Sequence, residues 1–173
     1  MTDQEAIFAR LDAMGIAYAR QSHAPANHIA DCVEITSSMG ATVCKNYFLN
    51  TKSRKHFCLC LARPNARFVT SDISRQAGTP RLMFGGEEDL LRLLHTRPGS
   101  VSPMGLVFDE GAQVRFLMDR GLLELPKLAF HPCDNTQTLA MTTADFLHRF
   151  LPGVSHDVTY VDFHDFAEED GWN

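Results

Sequence analysis

Val43-Cys44-Lys45-Asn46-Tyr47-Phe48-Leu49 is the stretch on which the reading of this chain turns. Its β-branched and aromatic bias, with apolar residues on both parities, predicts a buried β-strand. In its middle stand an ammonium, Lys45, and a carboxamide, Asn46. Such groups are costly in an apolar setting unless a partner or water reaches them. Two readings follow. Lys45 belongs to an edge strand and snorkels to solvent, or it stands at the mouth of a pocket and faces an anionic or carbonyl-bearing ligand.

Downstream of this strand, Thr51-Lys52-Ser53-Arg54-Lys55 is a polar turn and residues 56–61 read as a second strand, so the two form a hairpin. Upstream, residues 28–39 predict a helix stopped by Gly40, preceded by a loop at 23–27 and a short alternating strand at 16–22. A first helix is capped by Thr2 or Asp3, carries the stripe Ile7, Leu11 and Met14, and stops at Gly15. Past the hairpin, Arg63-Pro64-Asn65-Ala66 breaks the pattern, and Ser71 or Asp72 opens a short helix closed by Gly78. Glu87-Glu88-Asp89 suit a helix N-terminus, with Leu90, Leu91, Leu93 and Leu94 behind them. Residues 97–105 form a loop dense in breakers. Strands follow at 114–118, 128–130 and 136–141, then a helix from Thr142 or Thr143 to about 151, and a final strand at 157–163. Helices and strands interleave without regular βαβ spacing, which predicts a mixed α/β or α+β fold rather than a doubly wound sheet. One domain is expected over 1–166, followed by an acidic, frayed tail at 167–173.

A chain of 173 residues suits one domain with one sizeable core, and 45% hydrophobic with 21% charged residues is ordinary for a globular protein. No apolar run approaches a membrane span, and the start, Met1-Thr2-Asp3-Gln4-Glu5, does not read as a secretory signal. The five cysteines at 32, 44, 58, 60 and 133 include no CxxC pair, as expected of free thiols in a reducing cytoplasm. The formal charge of −5, taken whole, argues against a nucleic-acid partner, DNA included, yet it is unevenly spread. Residues 45–97 hold ten basic and four acidic side chains, so the middle third is net +6 inside an acidic protein. Either these cations are scattered solvated positions, or they form a surface that meets a phosphate backbone.

Three constellations invite chemistry. His56-x-Cys58-x-Cys60 sets three metal-ligand types on one strand face, and His131-x-Cys133 could add two more. Phe57, Leu59 and Leu61 fill the other face, and buried core cysteines are common, so no metal or other cofactor is expected. For nucleophilic catalysis there is no GxSxG elbow and no marked cysteine, and Ser100 and Ser102 have no evident base beside them. The loop Gly99-Ser100-Val101-Ser102-Pro103 is either a plain surface turn or a device that points several N–H groups at one spot, as an ester carbonyl or its oxyanion requires.

These segments resemble a known family. Lys45-Asn46-Tyr47-Phe48-Leu49 is similar to its K-N-L-F-L strand, and Pro98-Gly99-Ser100-Val101-Ser102-Pro103-Met104-Gly105-Leu106 to its P-G-S-V-S-P-F-G-L loop with the G-x-x-x-P signature. Phe130-His131-Pro132-Cys133-Asp134-Asn135-Thr136-Gln137-Thr138 is similar to its F-H-P-x-x-N-T-x-T segment. The family is the YbaK and prolyl-tRNA-synthetase-associated domain superfamily, and the chain looks most like its free-standing prolyl-tRNA editing members. The departures are Tyr47 for leucine, Met104 for phenylalanine and Cys133 for a polar residue.

The resemblance implies a curved, barrel-like mixed sheet with helices around it, and trans hydrolysis of mischarged alanyl-tRNA(Pro). Lys45 matches the essential lysine; Asn46, Gly99, Ser100, Val101, Ser102, Pro103 and His131 match positions of the aminoacyl pocket. The helix around residues 28–39 and the basic middle third near Arg81, with the turn cations Lys52 and Arg54, are expected to face the tRNA acceptor stem. For His131 a structural, hydrogen-bonded role is preferred over acid–base work. An aminoacyl ester is already activated, so a positioned water suffices if the oxyanion is stabilised. The implied partner is the acceptor end of tRNA(Pro) carrying alanine, with room for transient association with a synthetase or elongation factor. The rivals are a sibling editor for cysteinyl- or seryl-tRNA, a non-catalytic acceptor-end binding module, and a zinc protein using the strand at 56–60.

Overall fold

The computed structural model describes residues 1–26 and 28–165. The expected end of the domain at 166 and the acidic tail at 167–173 lie outside the described residues, as does Asn27 of the loop at 23–27.

The chain begins with α1 (Asp3–Ala13), whose N-cap Thr2 and Glu5 exchange side-chain hydrogen bonds with each other's backbone N–H. β1 (Ala19–Ser22) and α2 (Ile29–Ser38) lead to β2 (Thr42–Val43), β3 (Lys45–Thr51) and β4 (Phe57–Ala62). β5 (Ala66–Arg67), α3 (Thr70–Ala77), β6 (Leu82–Phe84) and α4 (Glu87–Leu94) follow. α3 ends at Gly78 in the left-handed conformation, as read from the sequence. A 3₁₀ turn (Pro103–Phe108) precedes β7 (Val114–Asp119), β8 (Lys127–Phe130) and β9 (Gln137–Thr142). The last helical segment is α5 (Thr143–Asp145), a π stretch (Phe146–Phe150) and α6 (Leu151–Gly153), before β10 (Val158–Val161) and β11 (His164–Asp165).

The architecture is the expected mixed one. The strands form a four-stranded sheet in the order β1-β9-β8-β2 and a five-stranded sheet in the order β10-β7-β4-β3-β6, with β11 and β5 as a separate ladder. β3 and β4 are the predicted antiparallel hairpin, while β4 and β7, and β7 and β10, run parallel.

The opening stretch is not one strand. Thr42 and Val43 pair in parallel with Leu128 and Ala129 of the four-stranded sheet, whereas Lys45 starts the pairing with Ala62 in the five-stranded sheet. Cys44, buried between them, is the corner at which the chain changes sheets. Apolarity on both parities is shared by a buried strand and a buried corner, so the pattern could not separate them.

The main core fills the space between the sheets and helices. It joins Phe48, Leu59, Leu61 and Phe116 with Leu128, Phe130 and Leu139, and with Ile7, Leu11, Leu93, Leu94, Phe146 and Phe150. The opposite face of the five-stranded sheet carries a second cluster under α3, including Leu49, Cys58, Cys60, Ile73, Leu82 and Leu117. β4 is therefore buried on both faces. Its cysteines are packing residues: burial pushes the Cys58 thiol up to about 11 and the Cys60 thiol higher still. Among the described residues no three His, Cys, Asp or Glu side chains are placed to hold a metal ion. No described helix is long and apolar enough to cross a membrane.

Candidate active site

The change of sheets at Cys44 opens a cavity of about 390 Å³ where the two sheets diverge. Val43, Cys44, Lys45, Asn46 and Tyr47 form one wall, Ala129, Phe130, His131 and Thr138 another, Gly99 and Val101 a third, and His28, Cys32 and Thr36 of the α2 region a fourth.

Lys45 is half-buried and has no ion pair among the described residues. β6 pairs with β3 only through Leu49, Asn50 and Thr51, so the Lys45 end of β3 lacks a strand on its outer side. The two readings of Lys45 therefore describe the same place: an edge segment that also borders a cavity. Beside it, the Asn46 amide Nδ2 donates a long hydrogen bond of 3.4 Å to the Cys44 carbonyl. The Asn46 Oδ1 is buried and has no partner among the described residues. An unsatisfied buried acceptor costs about 1–3 kcal/mol, so its persistence at a cavity wall points to a ligand donor.

The loop opposite is built by its own hydrogen bonds. Gly99 has φ of 92°, a conformation that an L side chain resists. Thr96 Oγ1 donates to the Ser100 carbonyl at 2.7 Å, and Ser100 Oγ donates to the Arg97 carbonyl at 3.2 Å. Ser102 Oγ accepts from the Met104 N–H at 3.1 Å and caps the 3₁₀ turn that Pro103 begins. At Gly105 a Cβ would overlap the Leu94 carbonyl oxygen, so glycine lets this turn lie on the end of α4. Both serines are buried and do not line the cavity. The amides of Gly99 and Val101 donate no hydrogen bond among the described residues, so they are available to a ligand oxygen.

His131 sits on the wall facing α2. Its Nδ1 lies 2.9 Å from the Gln137 carbonyl, an acceptor, so Nδ1 carries the hydrogen. Its Nε2 is 3.7 Å from the Cys32 Sγ. Burial holds the His131 pKa below the ordinary histidine value, leaving a neutral ring with an acceptor Nε2. Burial also pushes the Cys32 thiol up, so the pair is a thiol beside an imidazole rather than a thiolate–imidazolium dyad.

The structure thus brings Lys45, Asn46, Gly99, Val101 and His131 around one cavity, while Ser100, Ser102 and Pro103 shape the loop behind it. Lys52 and Arg54 do not line it: they lie past the far end of β3, about 20 Å along the strand from Lys45. Arg54 binds both Asp89 oxygens, at 2.9 and 2.5 Å, and Arg92 shares that carboxylate. Arg63 pairs with Asp119 and Arg75 with Asp72, so part of the basic middle third is neutralised locally. Arg81 is exposed, immediately before β6. Sequence reading passed over Cys32 and Thr36. Their spacing with His28, every fourth residue along α2, was the signal that one helix stripe borders the cavity.

The family model for the aminoacyl-tRNA editing domain matches residues 23–148, a span that contains every wall of this cavity. The chain belongs to that family. It is an aminoacyl-tRNA deacylase of the editing type, a hydrolase acting on a carboxylic ester. Among curated proteins it is 30% identical over 146 residues to the prolyl-tRNA editing protein ProX of Acetoanaerobium sticklandii, covering 84% of this chain and 88% of that one. It is 33% identical over 129 residues to prolyl-tRNA synthetase associated domain-containing protein 1 of Danio rerio, covering 73% and 69%. A solved structure of a candidate trans-editing enzyme for prolyl tRNA synthetase superposes with a TM-score of 0.72 at 14% identity, covering 95% of this chain and 98% of that one. That likeness speaks for the fold.

Proposed function

We propose that this editing domain hydrolyses the alanyl ester of mischarged alanyl-tRNA(Pro) in trans. The observation that carries the reading is the juxtaposition, across one small cavity, of an unpaired half-buried ammonium at Lys45 with the free amides of Gly99 and Val101. In this reading Lys45 places its charge on the ester carbonyl or the terminal phosphate. The loop amides donate to the carbonyl or ribose oxygen. Asn46 Oδ1 accepts from the alanyl ammonium, which satisfies the orphaned atom. A water held in the cavity attacks the carbonyl carbon, the C–O bond to the ribose breaks, and the adjacent ribose hydroxyl assists proton transfer. No cofactor is needed. The names of the curated relatives support prolyl-tRNA as the class of substrate.

Alanine is distinguished from proline by size. Exclusion by clash is needed because a pocket that merely fits discriminates one methylene by only about 1–3 kcal/mol. The reading implies a cytoplasmic setting. Exposed cations such as Arg81 and Lys52 would meet the acceptor stem, and any synthetase or elongation factor association would be transient and through the shared tRNA.

The deciding experiment presents the protein with alanyl-tRNA(Pro), prolyl-tRNA(Pro), cysteinyl-tRNA and seryl-tRNA. Fast hydrolysis of the first and sparing of the second is expected. Preference for the cysteinyl or seryl ester would move the assignment to a sibling editor, and binding without turnover would reduce the chain to an acceptor-end module.

A further inference from the structure

Next to the cavity lies a group of rings that this chemistry does not use. Tyr47 stacks on Phe68 with centroids 4.0 Å apart and an interplanar angle of 16°. Phe84 tilts against both, 6.4 Å from Tyr47 and 5.7 Å from Phe68, and Phe163 flanks Phe68 at 6.3 Å. Tyr47 is a position at which this chain departs from the K-N-L-F-L pattern, and the departure supplies one ring of the stack. Tyr47 and Phe68 are partly covered, but Phe84 is 64% exposed and Met83 beside it 43%. A single exposed phenylalanine needs no explanation. Four rings in contact, one of them turned to solvent on the last strand of a sheet, form a ledge.

Its position relates it to the cavity. Lys45 and Tyr47 are two residues apart on β3, so their side chains leave the same face about 6.8 Å apart. Leu49 is next on that face, and Phe84 is its partner across the β3–β6 ladder. The ledge continues the row Lys45, Tyr47, Leu49 outward, with Tyr47 itself a cavity wall. Exposed Arg81, which has no ion pair among the described residues, immediately precedes β6 at the outer end. Stacked aromatic rings in one row with the unpaired cation Lys45 match a single-stranded polynucleotide, whose bases stack and whose phosphates are anionic.

We propose that the ledge is a nucleobase-stacking subsite. Phe84, backed by Phe68 and Tyr47, takes an unpaired base from the 3′ end of the RNA while the ester enters the cavity at Lys45. The identity of the RNA rests on the proposed function; the stacking does not. Unpaired ends are where proteins splay bases onto aromatic side chains, because bases inside a duplex are already stacked on each other.

The test is a coupling cycle on binding. The probe is an uncharged acceptor-stem RNA hairpin ending in single-stranded CCA, alongside versions made abasic at one 3′ position at a time. Phe84→Leu keeps an apolar side chain and removes the π-face; at so exposed a position it should leave the melting temperature unchanged. It is expected to weaken binding about 5- to 150-fold, and Phe84→Trp to retain parental binding. One abasic position should cost the parent a similar factor and cost Phe84→Leu nothing further, since both changes delete the same contact. Unchanged binding by Phe84→Leu, or losses that multiply at every position, would overturn the proposal. So would a Phe84→Leu variant altered only in self-association, which would make the ledge a protein–protein surface. A protein that shows the coupling but hydrolyses no aminoacyl ester keeps the ledge and loses the proposed function. One that hydrolyses alanyl-tRNA(Pro) without the coupling does the reverse.

Discussion

Replacing Lys45 by alanine separates the chemistry from the fold. Lys45 begins β3, is half-buried, and its ammonium makes no hydrogen bond or ion pair among the described residues. Its removal strands no partner, so the stability change should stay within about 0.5 kcal/mol, or roughly 1–2 °C in melting temperature for a domain of this size. The effect on rate is of another order. An ammonium about 4 Å from a developing oxyanion is worth roughly 4 kcal/mol at an effective dielectric constant near 20. Deleting a contact of this kind costs about 2.7–4 kcal/mol of barrier, or about 10²–10³ in rate. The assay is single-turnover deacylation of alanyl-tRNA(Pro) with enzyme in excess, which isolates the chemical step from product release. Lys45→Arg should fall between, because it keeps the charge but spreads it over a planar fork. A Lys45→Ala protein with near-parental rate refutes the role given to this residue. One that has lost its cooperative melt refutes the premise that Lys45 serves the ligand rather than the fold.

Asn46→Ala removes an orphaned buried oxygen and only a long hydrogen bond, so stability should hold while KM for the alanyl ester rises about tenfold or more, read from steady-state kinetics. Gly99→Ala forces a side chain onto φ of 92°, which should cost about 1–2 kcal/mol in chemical denaturation and displace the loop amides, lowering kcat by more than the stability loss explains. Stability should also depend on pH through His156, whose ring nitrogens face two acceptors, the Val154 carbonyl at 2.7 Å and the Asp109 carboxylate at 2.8 Å. Burial opposes the imidazolium, but the hydrogen bonds to Asp109 and Val154 and the Asp109 charge together carry its pKa above the ordinary 6.5. The folded form thus holds its proton more tightly than the unfolded chain. The pair's stabilisation is complete below pH 6.5 and is lost as pH rises through the folded value. Stability should fall over that interval by up to about 1.4 kcal/mol per pH unit, read as a falling melting temperature, and His156→Gln should flatten the slope; an equal slope in the variant would assign it elsewhere.

Local order was legible in the chain because its causes are local. The Thr2 cap, the Gly78 stop, the hairpin around residues 51–55 and the loop at 97–105 each follow from the dihedral or hydrogen-bonding habits of a few neighbouring residues. The candidate site was legible in part for the same reason: a charge and a carboxamide in an apolar run, and a glycine bend bracketed by prolines, are anomalies visible without coordinates. Two things were not. The change of sheets at Cys44 depends on which distant strands Val43 and Lys45 pair with, β8 and β4, and an apolar pattern carries no partner. The fate of the basic middle third depends on Asp89, Asp119 and Asp72, whose distances from Arg54, Arg63 and Arg75 only the folded chain sets.

By itself, then, the sequence determined most of the longer elements, several of their caps and which residues were chemically out of place. Only the tertiary structure decided that Lys45 and Gly99, more than fifty residues apart, border one cavity, and that Tyr47, Phe68 and Phe84 meet beside it. The physical reason is that backbone preference acts over a few residues, whereas cavities and ion pairs arise where separate segments bury their apolar faces together.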